Sequence, residues 1–135
     1  MLQENLIKPR GYDLFDADHM PLDIRQVMQV QELIAVHFRE EHYPEFYAAI
    51  MKMPLRRLNT LLGDYLDKTV FELLQEALHR EAVKLLLYTR MTVKEITYEL
   101  NIANPSYFAR RFRKVEGCSP KAFRCRRKLK LVKEA

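Results

Sequence analysis

Tryptophan is absent from this 135-residue sequence, which also has only three glycines and two cysteines. Cys118 and Cys125 lack the spacing of a four-ligand zinc site, and a reducing cytosol would leave both as thiols. A membrane span needs about 18 consecutive apolar residues, and no apolar run in the sequence approaches that length. The first residues also lack the pattern of a secretory signal. We therefore expect a cytoplasmic protein with no membrane partner.

Groups of residues typical of catalytic sites are also missing. His19, His37, His42 and His79 are scattered along the chain, without a Ser/His/Asp or Cys/His arrangement or a glycine-rich phosphate loop. The polar run from Asp16 to His19 resembles a metal-binding stretch, but a solvated loop explains it better. We therefore expect no enzymatic activity, no cofactor and no metal site.

Charge is distributed very unevenly along the sequence. Residues 1–79 contain 8 Lys/Arg and 13 Asp/Glu, whereas residues 80–135 contain 15 Lys/Arg and 5 Asp/Glu. From Arg110 to Lys133 eleven basic residues accompany a single acid, Glu116. A basic surface of this kind is typical of proteins that contact nucleic-acid phosphates, although a solvated basic face would have the same composition.

Apolar residues recur at helical spacing from Met28 onward, and no strand-like alternation competes with them. Capping boxes at Thr69 and Thr92 predict two helix starts, and Asn101 predicts a left-handed turn. The sequence therefore predicts an all-α fold with two helix-turn-helix subdomains joined by a long central helix. The predicted segments are a leader or linker (1–27), the first subdomain (28–68), the linker helix (69–90), the second subdomain (91–128) and a basic tail (129–135).

Two segments, residues 44–66 and 92–115, each have a short helix, a turn and a longer helix, the layout of a helix-turn-helix. In the second segment, helical periodicity separates an inward face of Phe108, Phe112 and Val115 from an outward polar face. Asn104 either caps this helix or contacts a base. In the first segment, the predicted inward residues are Leu58, Leu61, Leu62, Tyr65 and Leu66. The alternative for this segment is that its longer helix only packs against the core and that its arginines are incidental.

The outward polar side chains are the predicted contacts with DNA, because the second helix of such a unit fits the major groove. Arg110 is the strongest candidate, since a guanidinium can bond both acceptors of one guanine. The predicted base-reading residues are Arg56, Asn59, Thr60, Ser106, Tyr107 and Arg110. The predicted phosphate contacts are Arg57, Arg113, Lys114, Lys121 and Arg124.

The sequence LHREAVKLLLYTRMTVKEITYELNIANPSYFARRFRKVEGCSPKAFR, from Leu78 to Arg124, resembles the DNA-binding region of AraC/XylS-type bacterial transcriptional regulators. The resemblance begins near Arg39 and is strongest from Ala82 onward. It implies two recognition helices placed in successive major-groove segments on one face of DNA. The chain departs from the family pattern at Pro54, Leu78, Thr97 and Asn101.

Together these features predict a sequence-specific transcriptional regulator that binds double-stranded DNA. RNA polymerase is an expected protein partner, and a homodimer is compatible with the sequence. The alternative is a protein-interaction module that binds another regulator or RNA polymerase and reads DNA weakly or not at all.

Overall fold

Seven α-helices form the part of the chain that the structure, a computed structural model, describes: the backbone of residues 20–134 and the side chains of residues 20–127. No strand occurs within these residues, which confirms the predicted all-α fold. The helices are α1 (Leu22–His37), α2 (Pro44–Ile50), α3 (Leu55–Leu66), α4 (Val70–Tyr88), α5 (Val93–Glu99), α6 (Pro105–Glu116) and α7 (Pro120–Glu134).

The first and last described helices extend into residues that the sequence assigned to the leader and to the basic tail. α1 begins at Leu22, directly after Pro21, and so before the apolar pattern that starts at Met28. α7 continues to Glu134, through the residues predicted as a basic tail. The polar run from Asp16 to His19 lies outside the described residues, as does most of the predicted leader, and the segment boundaries stay predictions.

The chain forms two compact units, which divide between Ala77 and Leu78 within α4. In the first unit, α1, α2 and α3 pack against one another and against the first half of α4. The buried residues of this core are Val27, Val30, Ile34, Tyr47, Ala48, Met51, Leu58, Leu61, Leu62, Val70, Leu73, Leu74 and Ala77.

Tyr47 is the largest fully buried side chain of the first unit, and its hydroxyl donates a hydrogen bond of 2.7 Å to the carbonyl oxygen of Glu41. Burial, followed by the nearby charges of Glu41 and Glu40, raises the pKa of Tyr47 above its usual value. The neutral phenol therefore keeps this bond, which holds α2 to the loop that precedes it.

The second unit has a smaller core that includes an aromatic cluster. Leu78, Ala82 and Leu86 of α4 are buried there, as are Ile96 of α5 and Leu100, the residue after that helix. On the other side, the ring of Phe112 lies 6.0 Å from that of Phe108 and 5.4 Å from that of Phe123, measured between centroids. Since Phe112 belongs to α6 and Phe123 to α7, this cluster holds those two helices together.

Side-chain caps begin the helices where the sequence predicted them. The Thr69 hydroxyl accepts a bond from the backbone N–H of Glu72, whose carboxylate accepts one from the Thr69 N–H. Thr92 and Glu95 form the same reciprocal pair at α5. Ser119 caps α7 through the N–H of Ala122, after Gly117 has ended α6 at a φ of 83°. These bonds satisfy backbone groups that a helix end leaves without partners.

Two residues predicted to face inward are exposed. Tyr65 is 40% exposed, whereas Leu58, Leu61 and Leu62 of the same helix are buried. Val115 is 53% exposed and lines a surface depression with Tyr107 and Lys114, whereas Glu116, one turn after the buried Phe112, is partly buried. Each residue lies near the C-terminal end of its helix. None of the described helices is long and apolar enough to span a membrane.

The capping box of α5 predicts a stability effect that depends on pH. The bond from the backbone N–H of Thr92, followed by the bond with its side chain, lowers the pKa of Glu95 below its ordinary value of 4.5. A carboxyl with a lowered folded-state pKa stabilises the protein above its unfolded pKa, and the stabilisation is lost as the pH falls through the folded value. We expect wild type to exceed Glu95→Gln in unfolding free energy near neutral pH, with the difference shrinking below about pH 4.5. Denaturant unfolding across pH measures this difference, and an NMR-derived pKa of Glu95 at or above 4.5 would contradict it.

Candidate nucleic-acid interface

Each compact unit contains one helix-turn-helix motif, α2–α3 in the first and α5–α6 in the second, and the two motifs share one turn geometry. In the first, Lys52 has a φ of 57° and the N–H of Met53 donates to the carbonyl of Ala48 at 3.1 Å. In the second, Asn101 has a φ of 56° and the N–H of Ile102 donates to the carbonyl of Thr97 at 2.9 Å. Both helices therefore end in a left-handed residue followed by a bond that spans five residues back. The sequence indicated a left-handed residue only in the second turn, because lysine is not a residue that favours a positive φ.

On α6 the outward face is basic and open to solvent. Ser106, Tyr107, Arg110, Arg113 and Lys114 are all exposed, whereas Phe112 on the opposite side is buried. The depression along this face has a volume of about 530 Å³ and is lined by Tyr107, Arg110, Arg111, Lys114 and Val115. The structure thus brings the three predicted base-reading residues of α6 onto one surface with two predicted phosphate contacts.

Asn104 immediately precedes α6, and its side-chain oxygen accepts a bond of 3.0 Å from the backbone N–H of Tyr107. The side chain therefore caps the helix, one of the two roles that the sequence allowed. Arg111 is partly buried, at the edge between the exposed face and the core.

The outward face of α3 carries fewer free polar groups. Arg56, Arg57 and Thr60 are exposed, and the Thr60 hydroxyl donates to the carbonyl of Arg56 at 3.0 Å. Asn59 is partly buried, and its side-chain oxygen accepts a bond of 3.0 Å from the N–H of Val70, the first residue of α4. Asn59 therefore connects α3 to α4, a role that sequence spacing did not reveal; base reading by Asn59 stays a prediction.

The two predicted phosphate contacts on α7 have different surroundings. Lys121 is exposed. Arg124 is partly buried, and its guanidinium donates to the carbonyl oxygens of Leu86 at 2.9 Å and of Leu85 at 3.5 Å. A cation at these carbonyls complements the negative end of the α4 dipole. Arg124 thus caps α4, and a phosphate contact by the same residue stays a prediction.

Histidine, cysteine and acidic side chains are the other candidates for a site within the described residues. No group of three or more His, Cys, Asp or Glu there has the arrangement of a metal site. Cys118 is buried and Cys125 is exposed, and both are free thiols. One unexpected pair is close: His79 of α4 lies 2.6 Å from Glu116, the last residue of α6.

Comparison with known families and structures agrees with this architecture. A family model described as a helix-turn-helix domain matches residues 47–126. The DNA-binding domain of AdpA, a global transcriptional factor solved in complex with a target DNA, is similar with a TM-score of 0.71 and 21% identity over 76% of this chain and 93% of that one. The xylose-binding transcription activator XylR is similar with a TM-score of 0.66 and 20% identity over 79% of this chain and 28% of that one. A comparison with curated protein sequences finds no match.

The Asn104 cap predicts a specific loss of stability. Replacement of an N-cap asparagine by alanine removes one bond to the helix start, so Asn104→Ala should lower the unfolding free energy by about 1 kcal/mol. Asn104→Asp keeps an acceptor oxygen and serves as the control, which should remain within a few tenths of wild type. Urea unfolding monitored by circular dichroism measures both, and an alanine variant as stable as wild type would show that the cap contributes nothing.

Proposed function

This chain belongs to the AraC-type helix-turn-helix family of DNA-binding transcription regulators, and from this we propose that it binds double-stranded DNA sequence-specifically through α3 and α6. The observation that carries the proposal is the outward face of α6, where two arginines and a lysine surround Ser106 and Tyr107 opposite the buried Phe112. A helix in the major groove would present this face to bases and phosphates together.

Within that proposal, the residues of α6 have different roles. Arg110, one turn after Ser106, reads a guanine through its two acceptors, while Ser106 and Tyr107 contact neighbouring bases near the start of the helix. Arg113 and Lys114 lie closer to the end of the helix, and we assign them to phosphates. Lys121 at the start of α7 adds a further phosphate contact.

α3 contributes fewer contacts in the same scheme. Arg56 and Thr60 lie one turn apart on its exposed face and read bases, and the neighbouring Arg57 contacts phosphate. The side-chain nitrogen of Asn59 is the group that would reach a base, since its oxygen is bonded to Val70. α4, with 19 residues and thus about 28 Å long, is comparable to one turn of DNA, which supports contacts in successive major-groove segments.

The regulatory setting follows from the family and is proposed with it. We infer that the chain acts in the cytoplasm by binding rather than by catalysis, and that RNA polymerase is its protein partner at a promoter. A homodimer would place two copies on repeated sites, and sedimentation of the chain alone and with duplex DNA would detect it.

Salt dependence of duplex binding tests the proposed docking face. Phosphate contacts release counterions, so affinity should fall steeply with salt, and the Arg110→Ala, Arg113→Ala double variant should lose most of the affinity. The control is Arg25→Ala, Lys84→Ala, which removes the same charge from exposed positions on α1 and α4. Fluorescence anisotropy across a salt series measures both. Full affinity in the Arg110 and Arg113 variant would reject α6 as the docking helix and favour a protein-interaction role.

Selection of bound sites from a random duplex pool tests the role of α3. Arg56→Ala should relax the preference at one or two base pairs, because a lost bidentate contact costs about 1 to 3 kcal/mol of discrimination. Arg57→Ala should instead weaken binding to all sequences and lower the salt slope by about 1. An unchanged preference in the Arg56 variant would mean that the first unit supports the fold without reading sequence.

A further inference from the structure

One side-chain pair in the second unit links the linker helix directly to the recognition helix. Nε2 of His79, on α4, lies 2.6 Å from Oε2 of Glu116, at the end of α6. The two side chains are only 12% and 24% exposed, although 37 positions separate them in the sequence. The short distance and the partial burial make this a well-formed hydrogen bond rather than a loose surface pair.

Packing holds the histidine in place for this bond. The His79 ring lies 4.9 Å from the ring of Phe112, with an angle of 36° between the two planes. Phe112 is itself buried and packs edge-on against Phe123. Because its neighbours restrict the imidazole, the position of Glu116 relative to α4 is restricted as well.

Because Glu116 is negatively charged, the side of α6 on which it lies matters for DNA binding. It is the only acid between Arg110 and Lys133, and it lies at the C-terminal end of α6. A carboxylate there is unfavourable to the helix dipole and would repel DNA phosphates if it faced them. Its bond to His79 holds it on the side of α6 where Phe112 packs against the His79 ring of α4.

The contacts along that side of α6 differ in kind. Phe108 and Phe112 pack through apolar surface, which is not directional, whereas the bond from Glu116 requires a particular distance and angle. A directional bond at the end of a helix restricts rotation of the helix about its axis. Such a rotation would displace Arg110 and Ser106, which are on the opposite side of α6.

We propose that His79 and Glu116 are positioning residues that set the orientation of α6 and thereby the sequence preference of the second unit. This inference rests on the proposed function, since it assigns these residues a role in how α6 reads DNA. Neither side chain contacts DNA in this scheme.

Three variants separate the bond from packing and from charge. His79→Phe keeps an aromatic ring against Phe112 and removes the bond. Glu116→Ala removes the bond from the other side, and Glu116→Gln keeps a hydrogen-bonding group there without the charge. Thermal unfolding of each variant identifies the temperature range in which it is folded, and binding is measured within that range.

The readout is the ratio of affinity for the preferred duplex to affinity for an unrelated duplex. We expect His79→Phe and Glu116→Ala to lower this ratio about tenfold, the effect of one lost charge-assisted bond, with binding to the unrelated duplex within about twofold of wild type. Glu116→Gln should keep most of the preference. The double variant should lose no more than either single variant, because both remove the same bond.

Two results would overturn this inference and leave the proposed function unaffected. One is an unchanged ratio in both His79→Phe and Glu116→Ala, and the other is a parallel loss of affinity for both duplexes, which a purely structural role would cause. A wild-type chain that binds all duplexes equally would instead reject the proposed function itself, so the two failures are distinguishable.

Discussion

Burial of one apolar side of α4 is the constraint on which the rest of the structure depends. Val70, Leu73, Leu74 and Ala77 belong to the core of the first unit, and Leu78, Ala82 and Leu86 are buried in the second. Each helix-turn-helix unit is too small to bury its own apolar faces, so each uses part of α4 to complete its core. α3 is therefore held by the first part of α4 and α6 by the second part, and the exposed face of each is the one left after this packing.

Hydrogen bonds at helix ends add to apolar packing in connecting α4 to its neighbouring helices. Asn59 accepts the first N–H of α4, Arg124 donates to its last carbonyls, and Glu116 bonds to His79. Each bond connects α4 to α3, α7 or α6, and each satisfies a backbone or charged group that would otherwise be unfavourable. Polar side chains that resemble DNA contacts in the sequence therefore include some that hold the interface in its shape.

Local sequence signals predicted the helices and most of their ends correctly. Four predicted caps are present, at Thr69, Thr92, Asn104 and Ser119. The side-chain oxygen of each accepts a bond from the backbone N–H three residues later, so the cap needs no distant partner. The outward position of Arg110 followed from helical periodicity alone. Periodicity was wrong for Tyr65 and Val115, because it gives the direction of a side chain around the helix but not how far along the helix the core extends.

The sequence by itself determined the all-α fold, the two helix-turn-helix units and the basic outward face of α6, since these depend on spacing within single helices and on their caps. Only the tertiary structure decided which of the predicted DNA contacts are exposed and which are bonded within the fold. Asn59 and Val70 are 11 positions apart, His79 and Glu116 are 37, and Arg124 and Leu86 are 38. Such pairs meet only after the helices have packed, and no local pattern encodes them.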